Sequence, residues 1–307
     1  MIEIEDLKIR YAQFVNRKSE IDHFCEILNE DKHSVMLVSG EPGMGKTALH
    51  KRLLYECLEV KKVRWAETFW INTRDYSYLA ILRKIREDIG EIHFQHFTDL
   101  VNFFTQQKYE LTLNVQNAGS INVGDGLIAE NSEIENMIGQ QIIIKDLNLT
   151  EPRQDRTIRE QERMYRLTQE FISDLEKALN GDQLVILIDD LEKMPPDTGK
   201  WVWSELIRGV MLKGLRNVRF VLCIDNEPSL DDEDLSRKVR TGKLQPLTET
   251  YVFDYLTRRE VGETEATRKA VAEMIFAETN GKPSGVASMV KTLLELQKKK
   301  LEAADND

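Results

Sequence analysis

Cysteine is scarce. The 307 residues hold three, Cys25, Cys57 and Cys223, with no C-x-x-C spacing and each in an apolar context. That excludes a disulfide framework and fits buried thiols in a reducing cytoplasm. No run of about 18 apolar residues occurs, so no membrane span is expected. The opening stretch MIEIEDLKIRYAQF carries acidic residues and no apolar core, so it does not read as a signal peptide. An excess of positive charge is also missing. Forty-two Lys and Arg stand against 53 Asp and Glu, a net charge of −11. A dedicated nucleic-acid binder is therefore not favoured, because phosphate backbones attract basic surfaces; a local basic patch is still compatible. The five histidines are scattered, and the close pair His93 and His96 is expected to pack or lie on the surface rather than bind metal.

What is present is a regular alternation. Residues 17–31 repeat Ile21, Phe24, Cys25, Ile27 and Leu28 at helical spacing. SVMLVSG (34–40) predicts a buried strand, KTALHKRLLYECLEV (46–60) a helix, VRWAETFWIN (63–72) a strand and YSYLAILRKIREDIG (76–90) a helix ending at a glycine. This order implies a parallel sheet covered on both faces. Residues 91–155 break the pattern and read as a partly β insertion. It has a helix over 96–107, strand candidates over 109–119 and 139–149, and a Gly/Asn-rich turn region over 120–133. A charged helix (156–180) follows, with Tyr165, Leu167, Phe171, Ile172 and Leu175 as its apolar stripe. Next come the strand LVILIDD (184–190), a helix (201–214), the strand VRFVLCIDN (218–226) and, after 247, helices. The expected division is a nucleotide domain over 1–247, with the insertion at about 91–155, and a helical lid module over 248–307.

Gly40, Glu41, Pro42, Gly43, Met44, Gly45, Lys46 and Thr47 match GxxxxGK[ST], followed by Ala48. The motif leaves a buried strand and opens a helix, the arrangement that phosphate binding needs. Glycines let the loop wrap a phosphate chain and aim backbone N–H groups inward; the helix N-terminus adds a favourable field. Lys46 is expected on the β- and γ-phosphates and the Thr47 hydroxyl on Mg2+.

Asp189 and Asp190 emerge from the apolar strand LVILIDD, at the edge where open α/β sheets bind ligands. Asp189 is the expected Mg2+ partner. Asp190, or Glu192 beyond it, is placed to orient or deprotonate a water; for Asp190 the alternative is a cap or an ion pair. At the end of VRFVLCIDN, Asp225 or Asn226 would stand beside the γ-phosphate, and Asn226 could equally cap a turn before Pro228. Arg240, with Arg237 as the other candidate, could serve a neighbouring subunit's phosphate or be surface charge.

These residues, in this order, resemble the STAND/AAA+ superfamily, in particular its ORC-like ATPases of the AAA-16 type. Phe14, Val15, Asn16, Arg17, Lys18, Ser19, Glu20 and Ile21 resemble a "FVGRExEL" segment, with Asn16 in place of the usual glycine. GEPGMGKT and LVILIDD resemble the family's two phosphate-site motifs, with Asp190 where many members carry glutamate. LQPLTETYVFDYL resembles the start of the lid, and Asn280, Gly281, Lys282 and Pro283 its GxP motif. The likeness covers about 14–90 and 156–295. It implies an ASCE-type P-loop NTPase fold, ATP or ADP with Mg2+ as ligands, Phe14, Val15 and Arg17 near the base, and Pro283 near the base or ribose. The absence of an NKxD motif agrees with adenine over guanine. Two departures stand out: Asn226 follows the third strand where STAND proteins often have arginine, and GKP stands where the AAA+ lid often has an arginine sensor.

The resulting expectation is a cytoplasmic, ATP- or ADP-binding signalling switch with slow, Mg2+-dependent ATPase activity. It would self-associate or work with a protein effector or sensor partner, with bacterial defence as the family's suggestion. The alternatives are an ORC-like ATPase acting on DNA and a non-hydrolysing, nucleotide-bound scaffold.

Overall fold

The computed structural model describes residues 14–68, 77–114, 122–123, 127–128, 153–230 and 232–304. The chain divides into two compact units, Met1–Glu91 with Ala178–Asp307, and Ile92–Lys177.

The first unit is built on five parallel strands in the order β2-β5-β6-β1-β7. They are β1 (Val35–Ser39), β2 (Arg64–Thr68), β5 (Leu184–Ile188), β6 (Val218–Ile224) and β7 (Val239–Lys243). Strands β1 and β5 are buried at every residue. Unbroken apolar runs such as VMLV and LVILI are what a sheet covered on both faces requires. The registers place Ser39 opposite Ile224 and Ile188 opposite Leu222. The C-terminal ends of the three central strands therefore finish side by side.

Helix α1 (Lys18–Asn29) buries Phe24, Ile27 and Leu28, and α2 (Lys46–Tyr55) buries Leu49, Leu53 and Leu54. Both contribute to one core with Met36, Val38, Val185, Leu187, Val221 and Cys223. After Tyr55 the helix widens into a π-helical turn, Glu56–Lys61. Helix α3 (Tyr78–Ile89) is capped by Ser77, whose side chain accepts the Ala80 N–H.

In the second unit, α4 runs from Gln95 to Asn114. The strand expected over 109–119 is thus helical as far as Asn114, and 115–119 lie outside the described residues. Once a helix is nucleated, each added residue gains a hydrogen bond at little cost, so a short alternating stretch joins it. A hairpin of two-residue strands, β3 (Asn122–Val123) and β4 (Leu127–Ile128), falls where a turn region was expected. The candidate strand 139–149 lies outside the described residues. Helix α5 spans Arg153–Leu179, and within this unit Phe171 packs against Phe94 and Phe97.

Returning to the first unit, α6 (Pro196–Trp201) continues through a π-helical Val202–Ile207 into α7 (Arg208–Leu212). Helix α8 (Glu233–Lys238) then leads straight into β7. This edge strand has no counterpart in the sequence reading. Its VRTGK lacks an apolar run because only one of its edges pairs, with β1, and its residues stay half-exposed. Helices α9 (Glu249–Arg258), α10 (Glu265–Thr279) and α11 (Pro283–Ala304) form the C-terminal helical region. Leu247, Val252, Leu256, Val261, Ala272, Ile275, Val286 and Val290 are its core. No described helix is long and apolar enough to cross a membrane.

Candidate nucleotide-binding site

The phosphate loop leaves β1 at Gly40 and enters α2 at Lys46. Gly43 and Gly45 hold φ of +88° and +89°, which side-chain-bearing residues rarely adopt. These two positions give the loop its curl. The Lys46 side chain is buried and folded back into the loop, with Nζ 2.7 Å from the Gly40 carbonyl and 2.5 Å from Asp225 Oδ1. Thr47 follows on the first turn of α2 and is half-buried; Glu41, Pro42 and Ala48 are exposed.

Asp189, the first residue past β5, is fully buried. Its Oδ1 accepts the Asp190 N–H at 3.0 Å, while its Oδ2 has no hydrogen-bond partner among the described residues. A bare buried carboxylate oxygen is costly, and coordination to a hard cation would relieve that cost. Asp189 and the Thr47 hydroxyl on the first turn of α2 are both oxygen donors, the chemistry that Mg2+ takes.

The carboxylates beyond Asp189 are sorted by the turn they occupy. Asp190 sits at φ +53°, and its Oδ2 takes Lys193 Nζ at 2.6 Å. Glu192, on the one-turn 3-10 helix Leu191–Lys193, is exposed at the surface beside buried Leu191. Burial pushes its carboxyl above the ordinary value; a backbone N–H opposes this, Asp225 adds to it, Lys46 opposes and Asp190 adds. Glu192 therefore shares an electrostatic neighbourhood with the phosphate-loop lysine. At the end of β6 it is Asp225 that reaches Lys46, and Asn226 is exposed.

Neither arginine named from the sequence is brought to the phosphate loop of its own chain. Arg240 is the second residue of β7, opposite Met36, and is ion-paired to Glu26 with 26% of its side chain exposed. Arg237 lies in the last turn of α8, pairs with Glu233 and is 73% exposed.

Beside the loop lies a mainly apolar cavity of about 310 Å3. The residues expected near the base, Phe14, Val15, Arg17 and Pro283, line it together with Met44, Gly45 and Ala48. Tyr255, Arg259 and Val286 from the C-terminal helices complete the wall. These three were not singled out in the sequence. Their signal was the helical spacing of Tyr255 and Arg259, which brings the guanidinium over the tyrosine ring at 5.9 Å.

One hydrogen bond ties the C-terminal helices directly to the loop, and three more brace both against the segment before α1. The Ser284 N–H donates to the Gly43 carbonyl at 3.0 Å. Buried Arg17 donates to the Met44 carbonyl through Nη2 and to the Gln245 carbonyl through Nη1, both at 2.8 Å. Arg258 donates to the Phe14 carbonyl at 2.8 Å. Burial lowers the Arg17 guanidinium from its ordinary value, with Glu20 opposing. The turn Gly281–Pro283 packs tightly here, since a Cβ on Gly281 would stand 2.0 Å from the Leu247 carbonyl oxygen.

A sequence model of the AAA ATPase domain matches residues 13–221 of this chain. No curated protein sequence gives a match. Among solved structures, the chain is similar to Drosophila ORC bound to DNA, with 14% identity and a TM-score of 0.49, covering 93% of this chain and 62% of that one. It is similar to a signal transduction ATPase with numerous domains (STAND) carrying a tetratricopeptide repeat sensor, from Pyrococcus horikoshii. There identity is 17% and the TM-score 0.42, covering 88% of this chain and 28% of that one. A third is the HORMA:CdnC:Trip13 complex of E. coli, at 10% identity and a TM-score of 0.47, covering 90% and 78%. The chain thus spans less than two thirds of the length of the first two.

Proposed function

The chain belongs to the AAA ATPase domain family, and from that premise we propose that it is a nucleotide-dependent switch whose C-terminal helices act as a lid over ATP or ADP. The observation that carries this reading is the shared wall of the base cavity. Phe14 and Val15, the phosphate loop, and Tyr255, Arg259 and Pro283 all line it. A ligand bridging these elements holds the lid down, and a change at its phosphates is felt through the Ser284–Gly43 hydrogen bond.

In this reading Lys46 exchanges Asp225 for the β- and γ-phosphates, and the N–H groups around Gly43 and Gly45 hold the phosphate chain. Mg2+ held by Thr47 and Asp189 would neutralise phosphate charge. Glu192 is the better candidate base, because its carboxyl is raised and feels the Lys46 charge while Asp190 is occupied by Lys193. Asn226 remains a candidate to orient the γ-phosphate or the water. For a contribution in trans, exposure favours Arg237 over Arg240.

Turnover would be slow and would rise with self-association or with an effector or sensor partner. The engaged state of Asp190 also favours a second reading, a nucleotide-bound scaffold that does not hydrolyse. Phosphate release from ATP, measured across protein concentration with Lys46→Ala as the blank, separates the two. The nucleotide carried through purification is identified in the same samples. Turnover that rises with concentration and disappears in Lys46→Ala supports the switch; retained ADP without turnover supports the scaffold. Neither nucleotide nor turnover would refute both.

A further inference from the structure

Beneath the phosphate loop, three side chains of different chemistry converge. His50 lies on α2 one turn beyond Thr47, Cys223 is the last fully buried residue of β6, and Asp189 follows β5. The Ile188–Leu222 rung brings Asp189 alongside Cys223. One donor atom from each of the three lies within 4.8 Å of the others, and all three residues are fully buried.

We propose that this cluster is a binding site for a thiophilic divalent cation of the zinc class, with His50, Asp189 and Cys223 as ligands. Occupancy would withdraw Asp189 from the nucleotide site and so inhibit it. The binding half stands on the cluster alone; the inhibitory half rests on the reading of Asp189 given above.

Four observations carry the site. The Asp189 Oδ2 is buried without a hydrogen-bond partner among the described residues, so a ligand-ready oxygen is already desolvated. His50 Nε2 lies 3.0 Å from Glu67 Oε1, and Glu67 is itself buried. A carboxylate behind a histidine fixes the ring and its tautomer in metal centres. With Nε2–H given to Glu67, the lone pair of the neutral ring is on Nδ1. A nitrogen, an oxygen and a sulfur donor suit zinc, whereas magnesium takes oxygen alone. Three protein ligands also leave a fourth tetrahedral position. Binding balances as Cys–SH plus M2+ giving Cys–S–M+ plus a released proton. The thiol proton displaced by the metal makes proton release a readout of binding.

The other His-and-carboxylate cluster, His96, Glu170 and Asp174, lacks such a signal. Asp174 Oδ2 already accepts the Phe97 N–H, and its Oδ1 is engaged by His96 and Lys177.

The test titrates the full, nucleotide-free chain with zinc chloride by calorimetry in two buffers of different ionisation enthalpy. Cobalt(II) is the spectroscopic probe for a thiolate bond. The expected result is one metal per chain, release of a proton and a thiolate-to-cobalt charge-transfer band. Cys223→Ala should remove the band and weaken zinc binding at least about 100-fold, Cys57→Ala should change neither, and Glu67→Gln should weaken binding about 10–100-fold. Folding of each variant is confirmed by its melting transition. Zinc that fails to bind, or binds equally to the wild type and Cys223→Ala, overturns the site. Adding ADP with magnesium then tests the coupling. Competition supports the inhibitory half, and simultaneous binding of both overturns it while leaving the metal site intact. ADP binding without any zinc binding refutes this inference and leaves the nucleotide reading standing.

Discussion

The backbone N–H of Ser284 donates to the carbonyl of Gly43 at 3.0 Å, tying the first turn of α11 to the glycine-rich loop across 241 positions of sequence. The glycine-rich loop and the C-terminal helix are thereby directly connected, and the first prediction tests what that connection contributes.

Alanine at position 43 should unseat the lid. Its Cβ would stand 2.4 Å from Ser284 Oγ and 2.8 Å from Lys282 Cε, at a φ of +88°. Overpacking costs about 1–3 kcal/mol, and the left-handed backbone adds about 1–2 kcal/mol. Gly43→Ala is expected to melt earlier and to bind ADP about tenfold or more weakly, as read by calorimetry. Unchanged affinity would mean that the lid contact does not depend on this glycine.

Arg17→Ala should speed nucleotide release. It leaves the Met44 and Gln245 carbonyls without their donor, at about 1–3 kcal/mol for each that stays buried. The off-rate of a fluorescent ADP analogue should rise about tenfold with little change in on-rate. Arg17→Lys should not rescue it, because an ammonium cannot reproduce the planar fork.

Asp225→Asn should tighten nucleotide binding several-fold. Lys46 must leave a 2.5 Å ion pair to meet phosphate, and an amide holds it less strongly. Calorimetry with ADP reads the change. Weaker binding in the mutant would show that Asp225 positions Lys46 rather than competing for it.

Glu192→Gln should lose turnover by about 10²–10⁴-fold, whereas Asp190→Asn should retain most of it. The same substitution has a pH signature in stability. The folded state raises the Glu192 carboxyl, chiefly by burial, so its ionisation costs stability. That cost is absent below the unfolded-state value and complete above the folded-state value. Glu192→Gln should therefore match the wild type in acid and melt slightly later at neutral pH. A mutant that melts earlier at neutral pH would contradict the assignment.

Arg237→Ala should lower turnover at high protein concentration without altering ADP affinity. Arg240→Ala should leave turnover nearly unchanged and lose only its half-exposed pair with Glu26, about 0–1 kcal/mol. The opposite pattern would return Arg240 to the trans role considered from the sequence.

The phosphate loop and the two strands ending in acidic residues were legible because each signal is local, whereas Phe14, Val15, Arg17 and Pro283, which line the cavity beside the loop, were pointed to only by the family resemblance. Glycine spacing fixes a loop, and an unbroken apolar run fixes a buried strand. Strand β7 escaped notice because an edge strand needs no such run, and α4 continued through a stretch whose alternation mimicked a strand.

Sequence by itself thus determined the kind of ligand and the parallel α/β scaffold that presents its phosphate loop. Only the tertiary structure decided which acidic side chain meets which lysine, Asp225 with Lys46 and Asp190 with Lys193. Asp190 and Glu192 are two residues apart, and Asp225 and Asn226 are adjacent. Their spacing alone does not reveal that Asp190 pairs with Lys193 and Asp225 with Lys46. Likewise, no local pattern could bring Ser284 to Gly43, or His50 to Asp189 and Cys223. Those meetings follow from strand order and the packing of the C-terminal helices, where residues far apart in the chain share a few ångströms of space.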